Sequence, residues 1–391
     1  MNRIQIGNIE TSGLGMGSMR FPLEDLWDET SVVPSAVDDL VDEAIKNGVT
    51  YFDTGYDYHW GVSERLLAKS LSRYPRESYQ FTTKCPCEDY ETDTYTNPDN
   101  LFEKQLKRTG LTYFDNYLMH GLRDNNINWF MDHVDWFVNL KKEGKVKNIG
   151  VSCHCNPRTL NRFLDFCGDK LDFVQIIVNY FEYYVANGNK MLQLCMLHNL
   201  PVIAMIPLKS GRLAHLTKEE QNQLKEGNET YSQMNWAFNF IKSVGLDSIK
   251  MILNGMTTVE QIDENVKAYN DIKELTRNEM AYCEDVAWMI KDGVPCCECG
   301  ECSKVCPKGL DVKSIVQAYK KNLFRRGENH GIDIWKAFDI EGQREFPRQF
   351  EFNDCIGCGA CANVCQKHIN IPDIMKSLKK SGENEMCDFF W

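Results

Sequence analysis

Residues 37–53 read VDDLVDEAIKNGVTYFD, an amphipathic segment that leads through a glycine into a short apolar run. The apolar side chains of the first part recur every three or four residues and therefore share one helix face: Val37, Leu40, Val41, Ala44 and Ile45. Tyr51–Asp53 then predicts a short buried strand. A helix with one apolar face beside a buried strand indicates an α/β fold in which helices cover a sheet.

The same alternation continues through the first 280 residues. The predicted strands are Leu14–Met19, Tyr51–Asp53, Tyr79–Thr83, Asn116–Met119, Val146–Val151, Phe173–Val178, Val202–Ile206 and Ser248–Leu253. The predicted helices are residues 37–45, Glu64–Ser72, Leu101–Arg108, Trp129–Lys142, Arg158–Cys167, Met191–Asn199, Tyr231–Val244 and Glu260–Tyr269. Strand and helix repeated eight times over about 260 residues favour a closed (β/α)8 TIM barrel, with an open doubly wound sheet as the alternative.

The length of the chain predicts its number of domains, and its net charge disfavours some kinds of partner. A single domain rarely exceeds roughly 250–300 residues, so 391 residues predict two domains: a barrel at 1–280 and a smaller domain at 281–391. A net charge of −12 disfavours nucleic acid as a partner and also a polybasic membrane-binding surface. The sequence has no secretory signal and no apolar run of about 18 residues, so we expect a cytoplasmic protein with no membrane contact.

Seventeen cysteines are many for such a chain, and in the cytoplasm they indicate metal binding or redox chemistry. Eight of them form two runs with the spacing C-x2-C-x2-C-x3-C: Cys296, Cys299, Cys302, Cys306, Cys355, Cys358, Cys361 and Cys365. This spacing is typical of bacterial ferredoxins and predicts two [4Fe-4S] clusters. Zinc is the alternative, but zinc sites favour separated CxxC pairs over complete runs of four.

The two runs are expected to exchange ligands. The first three cysteines of a run converge on one cluster, whereas the fourth reaches the other cluster. The first cluster should therefore take Cys296, Cys299, Cys302 and Cys365, and the second should take Cys355, Cys358, Cys361 and Cys306. Cluster binding would then contribute to the folding energy of a ferredoxin-like, mainly α-helical domain.

The insert between the two runs begins with a helical pattern. Ile315, Val316 and Tyr319 share one apolar face. A basic cluster follows, composed of Lys320, Lys321, Arg325 and Arg326. Such a cluster suits the docking of an acidic electron-transfer protein, and a solvated helix face is the alternative.

Four titratable residues lie at or just after the ends of three successive predicted strands. Asp53 ends the second strand, with Tyr58 five residues later; Lys84 follows the third strand and His120 the fourth. Active sites of (β/α)8 barrels lie at the C-terminal ends of the strands, so together these residues predict an acid–base site. Taken singly, Asp53 also suits a helix N-cap, Lys84 a charge on the rim and His120 a buried polar residue.

Ordered motifs in residues 1–268 resemble those of the aldo/keto reductase family. They are Tyr51-Phe52-Asp53-Thr54-Gly55 with Tyr58, Gly61 with Ser63-Glu64, Thr82-Thr83-Lys84, Asp115 with Leu118 and His120, residues 144–152, and Glu264-Asn265. The whole chain is similar to the subgroup of this family that carries a C-terminal ferredoxin-like domain.

This resemblance implies an oxidoreductase acting on a small-molecule carbonyl compound or alcohol. Tyr58 would be the general acid that protonates the carbonyl oxygen as hydride reaches the carbon. The Lys84 cation would lower the pKa of Tyr58, and Asp53 would hold Lys84 by an ion pair. His120 would hydrogen-bond to the carbonyl oxygen and orient it.

The resemblance also implies NAD(P)H as a cofactor. Ser152 and Gln175 match the family's contacts to the nicotinamide amide, whereas Cys153 replaces an asparagine. Met205 stands where the family has a tyrosine that stacks on the nicotinamide ring, and a thioether can still pack there.

This sequence has some of the residues with which the family contacts the adenosine end of the cofactor. Glu264 and Asn265 would meet the adenosine. Gly255 and Gln261 replace the basic residues that often select the 2′-phosphate, so only a weak preference for NADPH is expected.

Five of the nine other cysteines lie near the candidate sites. Cys85, Cys87, Cys153 and Cys155 lie at the predicted C-terminal end of the barrel, and Cys297 adjoins the first cluster ligand. Both a redox or metal function and small buried side chains remain open for the first four. Cys297 is interpreted as a bystander.

Two further functions stay open besides a carbonyl oxidoreductase with electron-relaying clusters. Hydride carries two electrons and each cluster passes one, yet the sequence has no flavin signature to mediate between them. A ferredoxin-linked one-electron reductase that does not use nicotinamide is one alternative, favoured by Cys153 and Met205. A non-catalytic module with structural clusters is the other, and the complete Asp, Tyr, Lys and His set argues against it.

Overall fold

A computed structural model describes residues 1–25, 28–92, 94–245, 247–294, 296, 299–326, 354–365 and 369–383. The chain forms two compact units. One comprises residues 1–208 and 234–283, and the other comprises residues 209–233 and the described residues from 284 onward. The predicted domain boundary at residue 280 stays a prediction, and the C-terminal unit also includes the segment 209–233.

The strands are β1 Arg3–Ile6, β2 Ile9–Ser12, β3 Leu14–Gly17, β4 Tyr51–Asp53, β5 Gln80–Pro86, β6 Glu88–Asp89, β7 Thr94–Tyr95, β8 Phe114–Leu122, β9 Val146–Cys153, β10 Phe173–Ile177, β11 Val202–Met205 and β12 Ile249–Gly255. The helices are α1 Pro34–Lys46, α2 Val62–Leu71, α3 Pro98–Thr109, α4 Ile127–Lys142, α5 Pro157–Cys167, α6 Tyr180–Val185, α7 Gly188–Leu197, α8 Lys218–Gly227, α9 Gln233–Gly245, α10 Val259–Asn270, α11 Arg277–Asp292, α12 Glu301–Lys304, α13 Val312–Arg326, α14 Ala360–Asn363 and α15 Ile371–Glu383.

Eight parallel strands close into a barrel in the order β3, β4, β5, β8, β9, β10, β11 and β12. Closure is direct, because β3 pairs in parallel with both β4 and β12. The predicted (β/α)8 barrel is therefore confirmed over the open doubly wound sheet. Each predicted strand overlaps one strand of this barrel.

Local sequence sets the starts of the helices that surround the barrel. Pro34 occupies the first turn of α1, where its missing N–H has no partner to lose. Helices α3 and α5 both begin with Asn-Pro, and the side chains of Asn97 and Asn156 each accept a hydrogen bond of 3.0 Å from a backbone N–H of the first turn. These caps fix where the chain leaves each preceding loop and turns back along the barrel.

The N-terminal hairpin β1–β2 covers one end of the barrel. Ile6 is buried against Tyr51 and Phe173, the first residues of β4 and β10. The Asn148 side chain donates to the Ile6 carbonyl oxygen at 2.9 Å. The N-terminal ends of the strands are thus closed, and Asp53 lies at the opposite end, where its strand finishes.

The C-terminal unit repeats one backbone pattern. In each cysteine run a left-handed glycine precedes a short helix: Gly300 before α12 and Gly359 before α14, both with φ of 78°. The longer helices α13 and α15 supply the core in which Ile315, Ile371 and Leu378 pack. The apolar pattern predicted at residues 315–319 therefore lies on a helix. Of the predicted basic cluster, the side chains from Lys321 to Arg326 lie outside the described residues.

None of the helices in the described part of the chain is long and apolar enough to cross a membrane.

Candidate active site and cluster sites

Asp53, Tyr58 and Lys84 meet at the C-terminal end of the barrel. The Lys84 ammonium donates to Asp53 Oδ1, to the Thr54 carbonyl oxygen and, at 3.1 Å, to the Tyr58 hydroxyl. Lys84 is only 1% exposed and points inward from β5, so it is not a charge on the rim. Gln175 Nε2 approaches the other oxygen of Asp53 at 3.4 Å. One buried cation thus joins the carboxylate of β4 to the phenol that follows it.

Burial dominates the protonation of Tyr58. It raises the pKa of Tyr58 above the ordinary value, and the nearby Lys84 cation offsets this only in part. Lys84 lowers this pKa, as expected, but the net shift is upward because the enclosed phenolate loses more solvation than one cation returns. Burial by itself lowers the pKa of Lys84, but the Asp53 carboxylate raises it overall. At neutral pH the site holds a charged lysine beside a protonated tyrosine.

His120, on β8, lies beside Tyr58. The two ring centroids are 5.5 Å apart in an edge-to-face arrangement. Nδ1 of His120 lies 3.2 Å from Oδ1 of Asp57, the residue just before Tyr58. Asp57 was not predicted from the sequence, where an acidic residue beside the expected general acid was the available signal.

The turn after Tyr58 has an unusual backbone. His59 and Trp60 have φ of 52° and 54°, and Gly61 follows with φ of 83°. Non-glycine residues in this left-handed region cost on the order of 1–3 kcal/mol each and persist only where surrounding contacts hold them. Ring contacts hold both residues, since the His59 ring lies 6.3 Å from that of Phe21 and the Trp60 ring lies 5.4 Å from that of Tyr90, centroid to centroid.

The carboxylate of Glu64 is buried next to the candidate site. Glu64 accepts hydrogen bonds from the Thr83 hydroxyl at 2.5 Å, from Gln105 Nε2 at 2.6 Å and from the Arg108 guanidinium at 2.8 Å. Burial raises the pKa of Glu64, and Arg108 is the largest of the contributions that oppose this. Glu64 and Arg108 thus form a buried ion pair, and neutral donors hydrogen-bond to the remaining lone pairs of the carboxylate.

The donors to Glu64 also hold the backbone of the site. Gln105 Nε2 donates to the Lys84 carbonyl oxygen at 3.1 Å. Arg108 donates to the Tyr56 carbonyl oxygen at 2.9 Å, two residues before Tyr58. The network therefore links the strand that carries the lysine to the loop that carries the tyrosine.

Replacing Arg108 by methionine is expected to lower the free energy of unfolding by about 3–5 kcal/mol, because the Glu64 carboxylate would stay buried without its ionic partner. The control is Arg73→Met, which removes an ion pair to Asp42, whose side chain is 46% exposed; a change below about 1 kcal/mol is expected. Chemical denaturation followed by circular dichroism measures both. The double variant Glu64→Gln/Arg108→Met should recover part of the loss, and equal losses from Arg108→Met and Arg73→Met would contradict the buried-pair interpretation.

Ser152 and Gln175 offer a donor and an acceptor that fit a carboxamide. The Ser152 oxygen accepts from the Gly121 N–H at 2.9 Å, which leaves the serine O–H to donate. Oε1 of Gln175 is buried and has no hydrogen-bond partner among the described residues. A nicotinamide carboxamide presents one carbonyl acceptor and one N–H₂ donor, so these residues suit it.

The other predicted cofactor contacts differ in accessibility. Met205 ends β11 and is nearly buried. The buried Asn265 side chain accepts from Asn254 at 2.8 Å and donates to the Gln261 carbonyl oxygen at 2.7 Å. Glu264 is exposed on the same helix. Asn265 is therefore engaged within the barrel, and Glu264 is the member of the predicted pair that faces outward.

The extra cysteines of the barrel resemble small buried side chains. Cys85, Cys87 and Cys153 are buried, and Cys155 is half-buried. Burial raises the pKa of Cys85, and the Cys87 sulfur accepts from the Asn126 side chain at 3.3 Å. A hydrogen bond from Cys153 lowers the pKa of Cys155. Cys297 lies outside the described residues, so its role stays an interpretation from the sequence.

Cysteines of both runs line one cavity in the C-terminal unit. This cavity, which opens to solvent, is bordered by Cys306 of the first run and by Cys355, Cys358 and Cys361 of the second. Gly359, at its edge, is left-handed, and no other heavy atom lies within 4 Å of the position a Cβ would take. Four thiols around one space fit the four iron corners of a cubane, so these residues suit a [4Fe-4S] cluster.

The remaining four cysteines differ in their exposure. Cys296, Cys302 and Cys365 pack against the apolar core of the C-terminal unit, and Cys299 is exposed. Their assignment to the first cluster stays a prediction.

Known proteins resemble both parts of the chain. Residues 13–287 match the aldo/keto reductase family, and residues 295–370 match a 4Fe-4S dicluster domain. The NADH-specific methylglyoxal reductase of Escherichia coli is 23% identical over 318 residues, which cover 69% of this chain and 94% of that protein. The L-galactose dehydrogenase of Arabidopsis thaliana is 26% identical over 304 residues, which cover 70% and 91%.

Solved structures show the same fold. The aldo-keto reductase AKR11C1 from Bacillus halodurans, in its holo form, aligns with a TM-score of 0.59 and 20% identity over 73% of this chain and 96% of that chain. An aldo/keto reductase from Brucella melitensis aligns with a TM-score of 0.56 and 22% identity over 73% and 99%. With the family match spanning residues 13–287 and a closed barrel that carries Asp53, Tyr58 and Lys84 at one end, this chain belongs to the aldo/keto reductase family.

Proposed function

We propose that this chain reduces a small carbonyl compound, or oxidises the corresponding alcohol, at the C-terminal end of its barrel with NAD(P)H as the hydride source. The contact of one buried cation, Lys84, with both Asp53 and the Tyr58 hydroxyl carries this proposal. A protonated phenol beside a fixed cation is suited to a carbonyl oxygen that gains negative charge. The likeness to a methylglyoxal reductase supports a small carbonyl substrate.

The proposed reaction adds one hydride and one proton to a C=O bond to give an alcohol. NAD(P)H, when bound, would supply the hydride with both electrons of the new C–H bond and would be oxidised to NAD(P)⁺. Tyr58 donates its proton to the carbonyl oxygen as the C–H bond forms. Lys84, 3.1 Å from the Tyr58 oxygen, stabilises the phenolate until solvent returns a proton, and Asp53 keeps the lysine in place. His120 hydrogen-bonds to the carbonyl oxygen.

The residues proposed to hold the cofactor lie on neighbouring strands. Ser152 on β9 would donate to the carboxamide oxygen, and Oε1 of Gln175 on β10 would accept from its N–H₂. Met205 on β11 would pack against the nicotinamide ring through its thioether. Glu264 and Asn265 are proposed for the adenosine end, with Glu264 the better exposed.

The cysteine runs are proposed to hold two [4Fe-4S] clusters. Such clusters, when bound, exchange one electron at a time, so an electron-transfer protein is proposed as a partner. Two one-electron carriers match the electron count of one hydride.

Titration of the oxygen-free protein with NADH and NADPH tests this function. Nucleotide fluorescence should report binding, and visible cluster absorbance should bleach if the nucleotide delivers electrons to the clusters. Gln175→Leu should raise the Kd roughly tenfold, because one buried hydrogen bond to the carboxamide is lost. Its cluster absorbance before nucleotide is added should equal that of the parent. Failure of both nucleotides to bind would refute hydride chemistry at this site.

A one-electron reductase that does not use nicotinamide is the second candidate. Met205 in place of a stacking aromatic residue, together with Cys153 in place of an asparagine, favours it. Reduction of a substrate by reduced clusters in the absence of nucleotide would separate this candidate from the first.

A further inference from the structure

Asp57 stands immediately before the proposed general acid, and its carboxylate faces the proposed carbonyl-orienting residue. Its Oδ1 lies 3.2 Å from Nδ1 of His120. The Asp57 side chain is 43% exposed and that of His120 is 13% exposed, so the pair spans the border between solvent and the enclosed site. Neither the sequence motifs nor the proposed reaction uses Asp57.

We propose that Asp57 is a positioning residue that holds His120 as a doubly protonated imidazolium, so that Nε2 presents an N–H to the carbonyl oxygen. This inference rests on the proposed carbonyl chemistry and specifies the protonation state that the chemistry needs. Asp57 acts through His120 and is given no contact with the substrate.

The reason lies in the two nitrogens of the imidazole. A carboxylate only accepts hydrogen bonds, so Nδ1 must carry a proton for its 3.2 Å contact with Asp57 to be a hydrogen bond. A neutral ring has one proton, and with that proton on Nδ1 the other nitrogen, Nε2, is left with a lone pair. A lone pair cannot donate to a carbonyl oxygen. With Asp57 in this position, His120 can polarise a carbonyl only after it gains a second proton.

Other titratable groups also lie near His120. Lys84 and Asp53 form an ion pair whose opposite charges largely cancel at the ring. Tyr58 is neutral because burial raises its pKa. His154, at the end of the neighbouring strand β9, would oppose a positive charge on His120 when it is itself protonated. The carboxylate of Asp57 is the anion that touches the ring.

Asp57 stays ionised over the whole range in which histidines titrate. Burial acts to raise the pKa of Asp57, but the charge of His120 and its hydrogen bond lower it to about 2. Any change in activity between pH 5 and 9 therefore does not report the titration of Asp57 itself. It reports a partner that the constant negative charge of Asp57 influences.

Nuclear magnetic resonance of ¹⁵N-labelled histidine side chains tests the proposal on the cluster-loaded, full-length protein. The parent and Asp57→Asn are titrated from pH 5 to 9, and a His120→Gln sample identifies the His120 signals. The imidazolium signals of His120 should persist to higher pH in the parent than in Asp57→Asn. Asp124→Asn removes an exposed carboxylate that lies near the end of the same strand and binds Asn156, and it should leave the titration unchanged.

Kinetics on the same proteins, with methylglyoxal and NADH as the probes, provide the second readout. At pH 8, kcat/KM should fall roughly tenfold in Asp57→Asn, the loss of one charge-assisted hydrogen bond to the carbonyl oxygen. The loss should shrink at pH 6, where more of the ring is protonated without help. Identical His120 titrations in the parent and Asp57→Asn would overturn the proposal. A shifted titration in a parent that reduces no carbonyl probe would support the Asp57–His120 coupling and refute the proposed function instead.

Discussion

Replacing Tyr58 by phenylalanine is expected to lower kcat/KM of the proposed carbonyl reduction, with methylglyoxal and NADH as the probes at pH 7, by roughly 10²–10⁴-fold, the range that a positioned general acid contributes. The substitution removes one hydroxyl oxygen and keeps the ring that packs beside His120. The barrel should therefore fold as before. What is lost is the proton that would otherwise reach the carbonyl oxygen, together with the group through which Lys84 acts on that oxygen.

Two controls separate chemistry from folding. Tyr95→Phe changes a tyrosine that is 73% exposed, and its kcat/KM should stay within about twofold of the parent, as expected for a surface substitution. In Tyr58→Phe the visible cluster absorbance and the nucleotide Kd should also match the parent. Turnover within about threefold of the parent would remove Tyr58 from the role of acid.

The pH dependence of kcat/KM in the parent protein further tests the assignment of Tyr58 as the general acid. Burial raises the pKa of Tyr58 above its ordinary value of about 10, so the phenol keeps its proton throughout pH 6–9. A decline of kcat/KM with rising pH inside that interval is then not the deprotonation of Tyr58. The proposed coupling of Asp57 to His120 predicts such a decline, which should begin at lower pH in Asp57→Asn.

The barrel was predictable because the burial of strands and of one face of each helix imposes a regular spacing of apolar residues on the sequence. Each strand is a short apolar run and each surrounding helix has one apolar face, as in residues 37–53. The hairpin β1–β2 was missed because its residues are mostly polar and its stability comes from packing onto strands that follow it in sequence. Helix α8 was also missed, although Thr217 and Glu220 form a capping box that signals its start.

The site was predictable only where position along a strand decides it. Asp53, Lys84 and His120 lie at or within two residues of the C-terminal ends of β4, β5 and β8, and the ends of parallel strands meet at one face of a barrel. The Glu64 network joins residues more than 40 positions apart, so no local pattern reveals it. The contact of Asp57 with His120 arises where β8 passes the loop before the left-handed turn at His59, and that proximity is a property of the tertiary fold.

Whether the pKa of Tyr58 is raised or lowered depends on the relative size of two opposing effects, desolvation and the charge of Lys84. Knowing that the two residues are in contact does not decide it. The sequence correctly predicted that a lysine would stand beside the tyrosine, and a lysine alone lowers the pKa of a phenol. The depth of the site decided the outcome, because desolvation of the phenolate exceeds the attraction of a cation that is already paired with Asp53. How deeply Tyr58 is buried depends on the packing of the whole C-terminal end of the barrel.

Removal of Cys306 is expected to empty one cluster site and leave the other filled. If two cubanes give about eight irons per chain, Cys306→Ala should retain about four. Cys306 borders the same cavity as Cys355, Cys358 and Cys361, so the proposed loss is at the cluster of the second run. Cys155→Ala, which changes a half-buried cysteine of the barrel, should retain all of the iron.

Double variants decide between exchanged and local ligand sets. If the runs exchange their fourth ligands, Cys306→Ala/Cys355→Ala damages one site twice and should still hold about four irons, whereas Cys296→Ala/Cys306→Ala damages both sites and should hold almost none. Local sets, with each run holding its own cluster, predict the reverse for the two double variants. Iron analysis of oxygen-free protein, with electron paramagnetic resonance of the reduced state, measures both. Exchange is expected, because the spacing of three residues before Cys306 carries it toward the second run, and the cavity has Cys306 on its wall beside the cysteines of that run.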